Sequence, residues 1–212
     1  RTRSDSFEVK IHRGPPSSSS IKAVIGRIPP PGSPSSPIMS VRSLFSSFQK
    51  RSRISVFMSL ESVRAWLADH APELRLIEAH ASTATVADAA ETLGVAAGQI
   101  AKTLAVRAGA KTFLLVARGD ARLDNQKAKA EFGTRPRMLD AEETFALTGH
   151  IVGGVCPFGL ATGLPVYVDV SLKDFATVYP AGGSRNASVE VTPARLYELV
   201  GRRWVDACRL PE

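Results

Sequence analysis

Cysteine is almost missing from this chain. Only Cys156 and Cys208 occur among 212 residues. Two cysteines without CxxC spacing exclude a disulfide scaffold and a zinc ribbon, and point to a reducing compartment, with the cytoplasm as the expected location. No apolar run approaches the roughly 20 residues a membrane helix needs, so a soluble protein with no membrane partner is expected. Histidine is also sparse: beyond residue 57 only His70, His80 and His150 occur, none at ligand spacing with another or with a cysteine. No metal site is expected, and each histidine is read as a surface or capping residue. Phosphate-loop and dinucleotide fingerprints are missing too, because Gly182-Gly183 is followed by neither a third glycine nor a Lys-Ser pair. No cofactor is therefore expected. There is no internal repeat.

Acidic residues are lacking from one part of the chain. Residues 1–57 hold 15 Ser, 7 Pro and 10 Lys or Arg against only Asp5 and Glu8, a net charge of +8. Residues 58–212 hold 17 basic and 18 acidic residues, so the whole-chain charge of +7 belongs to the first segment. Residues 14–37, rich in serine and proline, bury too little apolar surface to offset chain entropy and are read as disordered. The Arg- and Ser-rich residues 38–57 fit a targeting segment, a leader without a role, or an arm for nucleic acid or membrane, and Met58-Ser59-Leu60-Glu61 reads as a natural start. The expected organisation is a tail over 1–57 and one domain over 58–212.

That domain is long enough for a substantial core. Leu60, Val63, Trp66 and Leu67 share one helical face over 59–70, stopped by Pro72. Thr85 caps a short helix closed by Gly94. Residues 100–107 and 112–118 read as strands joined at Gly109. Asp124–Phe132 reads as a helix. Asp140 and Glu143 form a capping box for a helix ending at Gly149. Pro165–Val170 reads as a strand, and residues 176–179 and 187–191 as a hairpin around Gly182-Gly183. Thr192-Pro193 opens a last helix that ends at Gly201. Irregular alternation with internal hairpins predicts an α/β fold on a mixed sheet.

Chemistry is suggested at few places. Ile151-Val152-Gly153-Gly154-Val155-Cys156-Pro157-Phe158-Gly159 is either a tight connection or a concavity of backbone N–H groups suited to an oxyanion. Cys156 in that loop, six residues from His150, is either a small buried residue or a thiolate nucleophile. Lys102 at the mouth of a buried strand must snorkel, pair or serve a site. Phe158, Val155 and Leu164 are candidates for a small apolar chamber. Arg118, Arg122, Lys127 and Lys129, with Arg135 and Arg137, form either a phosphate-binding run or a solvated helical face.

Taken together, Ile100-Ala101-Lys102-Thr103-Leu104, Arg122-Leu123-Asp124, Thr148-Gly149-His150 leading into the glycine loop, Val166-Tyr167-Val168-Asp169, and Gly182-Gly183-Ser184-Arg185 followed by Val189-Glu190-Val191 resemble the YbaK/EbsC family. That family is related to the editing domain inserted in bacterial prolyl-tRNA synthetases. The likeness covers nearly all of 58–212. It implies a compact α/β domain with a mixed, barrel-like sheet surrounded by helices, and free-standing deacylation of mischarged tRNA, often Cys or Ala on proline tRNA. By motif, the characteristic lysine is Lys102 and the GxxxP loop is Gly153, Gly154, Val155, Cys156 and Pro157. Phe158, Asp169, Gly182, Gly183 and Arg185 are then expected at the substrate, and Arg118, Arg122, Lys127 and Lys129 at tRNA phosphates. The expected partners are the acceptor end of an aminoacyl-tRNA and a synthetase. Related proteins often carry serine at position 156, so cysteine there is a departure. The loop N–H groups are expected to hold the ester carbonyl and Lys102 the terminal adenosine or its phosphate. The attacking group would be water, a ribose hydroxyl or a substrate thiol. The competing readings are a catalytically silent binder of tRNA or a synthetase, and a hydrolase dependent on Cys156.

Overall fold

The computed structural model describes residues 59–211, and the readings for residues 1–57 lie outside them. Along the chain come α1 (59–70), β1 (Arg75–Glu78), α2 (Val86–Leu93), β2 (Ile100–Ala108), β3 (Lys111–Arg118), β4 (Arg122–Leu123), α3 (Asn125–Phe132), β5 (Arg137–Met138), α4 (Ala141–Thr148), β6 (Val166–Asp169), β7 (Tyr179–Pro180), β8 (Ala187–Glu190), α5 (Pro193–Val200), β9 (Gly201–Val205) and β10 (Cys208–Arg209).

The apolar run Phe113–Ala117 makes β3 the centre, since a strand buried on both faces reads as continuous hydrophobics. It pairs antiparallel with β2 and parallel with β6, and β6 pairs parallel with β9. The mixed α/β architecture is the expected one, although the path from β9 to β5 stays open. The outer edge of β2 is shared: β7 pairs parallel at Ile100 and Ala101, and β5 pairs antiparallel at Val106 and Arg107. Bridges at Val178–Val191 and Ala181–Ser188 link β7 to β8, which pairs antiparallel with β1. A small separate ladder joins β4 to β10.

Alternation along β3 divides the core in two. Leu114 and Val116 face a cluster with Val63, Leu67, Phe158, Leu172 and Leu196. Phe113, Leu115 and Ala117 face Val106, Ala128 and Val205. Each such Leu, Val or Phe contributes about 1.5–3 kcal/mol relative to exposure.

Helix ends follow the sequence closely. Thr85 accepts from Asp88 N, Asp124 from Gln126 N and Lys127 N, Asp140 from Glu143 N, and Thr192 from Arg195 N. The capping box at Asp140 is only half made, because the Glu143 carboxylate bonds Arg107 at 2.6 Å instead of turning back to the helix start. Residues 176–179 give only the two-residue β7, whose main-chain partner is β2, and the hairpin survives as two bridges. Strands β1, β4, β5, β9 and β10 carry no alternating pattern strong enough to announce themselves. β9, for example, contains exposed Arg202 and Arg203 and is extended because β6 offers it an edge. Among the described residues no helix is long and apolar enough to cross a membrane.

Candidate functional site

The glycine loop between α4 and β6 meets the turn between β7 and β8 backbone to backbone. Gly153 has φ +90° and Gly183 φ +89°, a region that disfavours side chains. A Cβ on Gly154 would lie 2.9 Å from the Ser184 carbonyl carbon, so the loop seats on that turn only as glycine. The Arg185 Nε donates to Val152 O at 3.2 Å across the same seam.

Beneath the seam lies a buried polar knot. His150 is fully buried, not at the surface or a cap as its spacing suggested, because Thr148 and Gly149 turn it inward. Its Nε2 donates to Phe158 O at 2.8 Å. Burial holds the imidazole below its ordinary value, with the Phe158 bond opposing. Its Nδ1 is hydrogen-bonded with Ser59 Oγ at 2.6 Å. The same hydroxyl donates to Gly183 O at 2.5 Å, so Ser59 ties α1 to both glycine turns.

Cys156 sits in this knot, fully buried, with Sγ 3.6 Å from His150 Nε2. Burial pushes its thiol up to about 12. The two residues do meet, but a depressed neutral imidazole beside a strongly protonated thiol generates no thiolate. With Sγ fully buried, the structure supports the small buried residue over the nucleophile.

A cavity of about 240 Å³ opens beside the seam, where the outer edge of β2 is left uncovered between β7 and β5. Its wall includes Ala101 to Ala105, Gly153 and Val155 of the glycine loop, Thr83 to Val86 at the start of α2, Leu139, Tyr179 and Ala181. Met138 and Val152, each 53% exposed, also belong to the wall. The segment before α2 is held there by Thr83 N donating to Arg185 O and Ala79 N donating to Asn186 O at 2.8 Å. The Gly154 N–H is spent on Ile151 O at 2.9 Å, whereas among the described residues the Gly153 and Val155 N–H groups have no acceptor.

Of the residues singled out from sequence, the cavity gathers Lys102, Gly153 and Val155. Lys102 donates from Nζ to Gly119 O at 2.9 Å and to Ala121 O, neither on the wall, and burial lowers its pKa. Gly154 and Cys156 lie behind the wall, while Pro157 and Leu164 line a separate depression with Trp66. Phe158 is no chamber wall, because Gly159, with φ +58° against the Ser62 carbonyl, turns it into the core, where it packs on Trp66 with ring centres 5.2 Å apart. Asp169 is buried and accepts from Ser171 N at 3.0 Å and Ala207 N at 2.9 Å, so its carboxylate closes a turn and does not face a substrate. Gly182 donates to Ala187 O at 2.7 Å inside its turn, and with Gly183 and Arg185 it supports the loop from behind.

The basic run divides as well. Arg118 is clamped by both Asp120 oxygens at 2.7 and 2.8 Å and by Asp174 at 2.8 Å, and stacks over Phe175, which answers its charge within the protein. Lys127 pairs with Asp206 at 2.9 Å. Arg122 and Lys129 are exposed without a carboxylate partner among the described residues. Sequence reasoning missed Thr103, Tyr179, Ala181 and the start of α2. The strand gap that exposes them is a property of pairing, although Thr103 adjoins the singled-out lysine.

Residues 80–199 match the aminoacyl-tRNA editing domain family. The chain is 49% identical over 154 residues to the uncharacterized protein YwhH of Bacillus subtilis (strain 168), covering 72% of this chain and 98% of YwhH. It is 33% identical over 153 residues to the proline--tRNA ligase of Shouchella clausii (strain KSM-K16), covering 66% of this chain but only 26% of the ligase. A solved structure provisionally described as a trans-editing enzyme for prolyl tRNA synthetase superposes with TM-score 0.67 at 35% identity, covering 71% of this chain and 97% of that one. With more than half of its residues matched to that family, the chain belongs to the aminoacyl-tRNA editing domain family.

Proposed function

We propose that the protein is a trans-editing hydrolase that deacylates mischarged aminoacyl-tRNA, with a Cys- or Ala-type residue on proline tRNA as the substrate. The observation that carries this reading is the cavity between the glycine loop and the open edge of β2. At about 240 Å³ it falls below the ~300–1,000 Å³ of drug-sized ligand pockets, which suits an aminoacyl group better than a nucleotide. Its small apolar wall, with Ala84, Ala101, Ala105 and Ala181, fits a short side chain. Exposed Met138 and Val152 offer the terminal adenine an apolar contact.

The ester is reactive enough that positioning and polarisation suffice. Gly153 and Val155 N–H groups supply donors for the ester carbonyl. Lys102 leaves its backbone carbonyl partners to hold the terminal ribose or its phosphate. Exposed Arg122 and Lys129 meet acceptor-stem phosphates, with a modest salt dependence. The attacking group is water, the ribose hydroxyl or a substrate thiol, and the buried Cys156 takes no covalent part. Compartment and synthetase association follow from the same reading: a reducing cytoplasm, and transient contact with the enzyme that makes the error.

The test is release of amino acid from Cys-, Ala- and Ser-charged proline tRNA and from unrelated pairs by the full chain, beside Lys102→Ala. Turnover of one pair, reduced at least about a hundredfold in the variant, is the expected result. Full activity in Lys102→Ala removes that side chain from the mechanism. A second reading, a silent tRNA-binding module, is favoured by the carbonyls already engaging Lys102. It predicts tRNA binding without turnover.

A further inference from the structure

The uncovered stretch of β2 has a polarity that pairing on both sides fixes. Leu139 N donates to Ala105 O at 2.9 Å, so the main-chain groups of Ala105 point to the outer edge, as do those of Arg107 in the same ladder. On the inner side, Leu114 N donates to Pro165 O at 2.9 Å, toward β6. The groups of Phe113, Leu115 and Ala117 therefore point to β2, where their partners are Val106, Leu104 and Lys102. Alternation then turns the N–H and C=O of Thr103 outward. Ala101, two residues before, is covered by β7, and Ala105, two residues after, is engaged by Leu139. Thr103 alone of this series has no strand opposite it among the described residues, and it lies on the cavity wall. Its Oγ1 is buried and has no hydrogen-bond partner. Two main-chain groups of one residue thus stand unpaired at the cavity, beside a buried hydroxyl without a partner, a state that Ser171 Oγ shares among the described residues.

A single residue's outward N–H and C=O complement one chemical unit, another α-amino acid presenting its own N–H and C=O, as in a hydrogen-bonded pair of an antiparallel ladder. Resting on the deacylase reading, we infer that Thr103 recognises the aminoacyl group as a one-residue β-strand. Its C=O accepts from the substrate α-ammonium and its N–H donates to the ester carbonyl. The carbonyl oxygen keeps its other lone pair for an N–H of the glycine loop. This contact reads what every aminoacyl ester shares and favours a free α-amine, whose charge strengthens the bond to the Thr103 C=O, while the alanine-rich wall reads the side chain. Peptidyl and N-blocked esters, which offer only a neutral N–H, bind more weakly.

The test uses the full chain, ¹⁵N-labelled, titrated with the non-hydrolysable amide 3′-alanylamino-3′-deoxyadenosine and with its N-acetyl form. The Thr103 amide resonance is expected to shift and saturate with the free amine, and the acetylated probe to bind at least about tenfold more weakly. An unmoved Thr103 amide at saturation, or equal binding of both probes, overturns the inference. Deacylation by Thr103→Pro is followed in parallel. This variant removes the outward N–H together with the hydroxyl, at a stretch of strand edge where proline is tolerated, and a loss of at least about tenfold is expected, against a smaller loss in Thr103→Val, which keeps the N–H. Wild-type turnover with Thr103→Pro unimpaired sinks the inference and leaves the deacylase reading intact. A saturating Thr103 shift with no turnover by wild type sustains the inference as a binding contact and sinks the hydrolase.

Discussion

Replacing Gly154 by alanine tests whether the seam between the two glycine turns is rigid. Its φ is not in the left-handed region, so alanine suffers no conformational penalty there and any cost is steric. The added Cβ would stand 2.9, 3.0 and 3.1 Å from Ser184 C, Cα and N. Those are main-chain atoms in a turn whose neighbour Gly183 has φ +89° and is hydrogen-bonded from Ser59, so relief requires moving one whole turn off the other. Overpacking of this kind costs about 1–3 kcal/mol. At roughly 2–4 °C per kcal/mol for a chain of this size, thermal unfolding should fall by about 2–12 °C. Gly163→Ala is the control. A Cβ there meets nothing within 4 Å, and its φ is not in the left-handed region, so the melting temperature should hold or rise slightly. Calorimetry on wild type and both variants decides. A Gly154→Ala midpoint within about 1 °C of wild type would refute the rigid seam. Where the midpoint falls as expected, deacylation should fall too, because Gly153 and Val155 move with the loop.

Three further outcomes follow from the buried groups. His150 is held below its ordinary value of 6.5 by burial, so the unfolded chain takes up its proton first. Its contribution is constant above about pH 6.5 and is lost progressively below it, by up to about 1.4 kcal/mol per pH unit, and urea midpoints should show a flatter acid slope in His150→Asn than in wild type. Cys156→Ala should keep the deacylation rate within about threefold, since a thiol raised to about 12 performs no attack, and native protein should resist alkylation at that position by mass spectrometry. Asp169→Asn should lower stability by about 1–3 kcal/mol in chemical denaturation, through the bonds to Ser171 N and Ala207 N, with KM for aminoacyl-tRNA unchanged.

Helices were the most legible part of the fold because their ends are written locally. Thr85, Asp124, Asp140 and Thr192 each bond the backbone two or three residues on, and Gly94, Gly133 and Gly149 follow their helices in the left-handed region. The buried hairpin of β2 and β3 was legible from its apolar run. Strands β1, β5 and β9 were not, since each is extended by a partner distant in sequence. At the site, motif residues divided in the same manner. Lys102, Gly153 and Val155 reach the cavity, while His150, Phe158 and Asp169 turned inward for reasons of packing and capping. A spacing reports that a residue is required, and only its surroundings tell whether the requirement is chemical or architectural.

The division has a physical logic. A site that polarises an ester through main-chain N–H groups needs those groups unpaired, and unpaired backbone is what a folded chain normally eliminates. The stability given up at the β2 edge and the glycine loop must therefore be recovered close by. The recovery is visible in the knot of Ser59, His150, Phe158 and Gly183, in the Arg185 bond to Val152, and in the Asp169 caps. The side chains of Ser59, His150 and Arg185 lie off the cavity wall, yet they fix the glycine loop that forms part of it. Residues that touch no substrate are on this account as constrained as those that do. On the proposed reading, the groups that meet the substrate are mainly those that the surrounding side chains leave exposed.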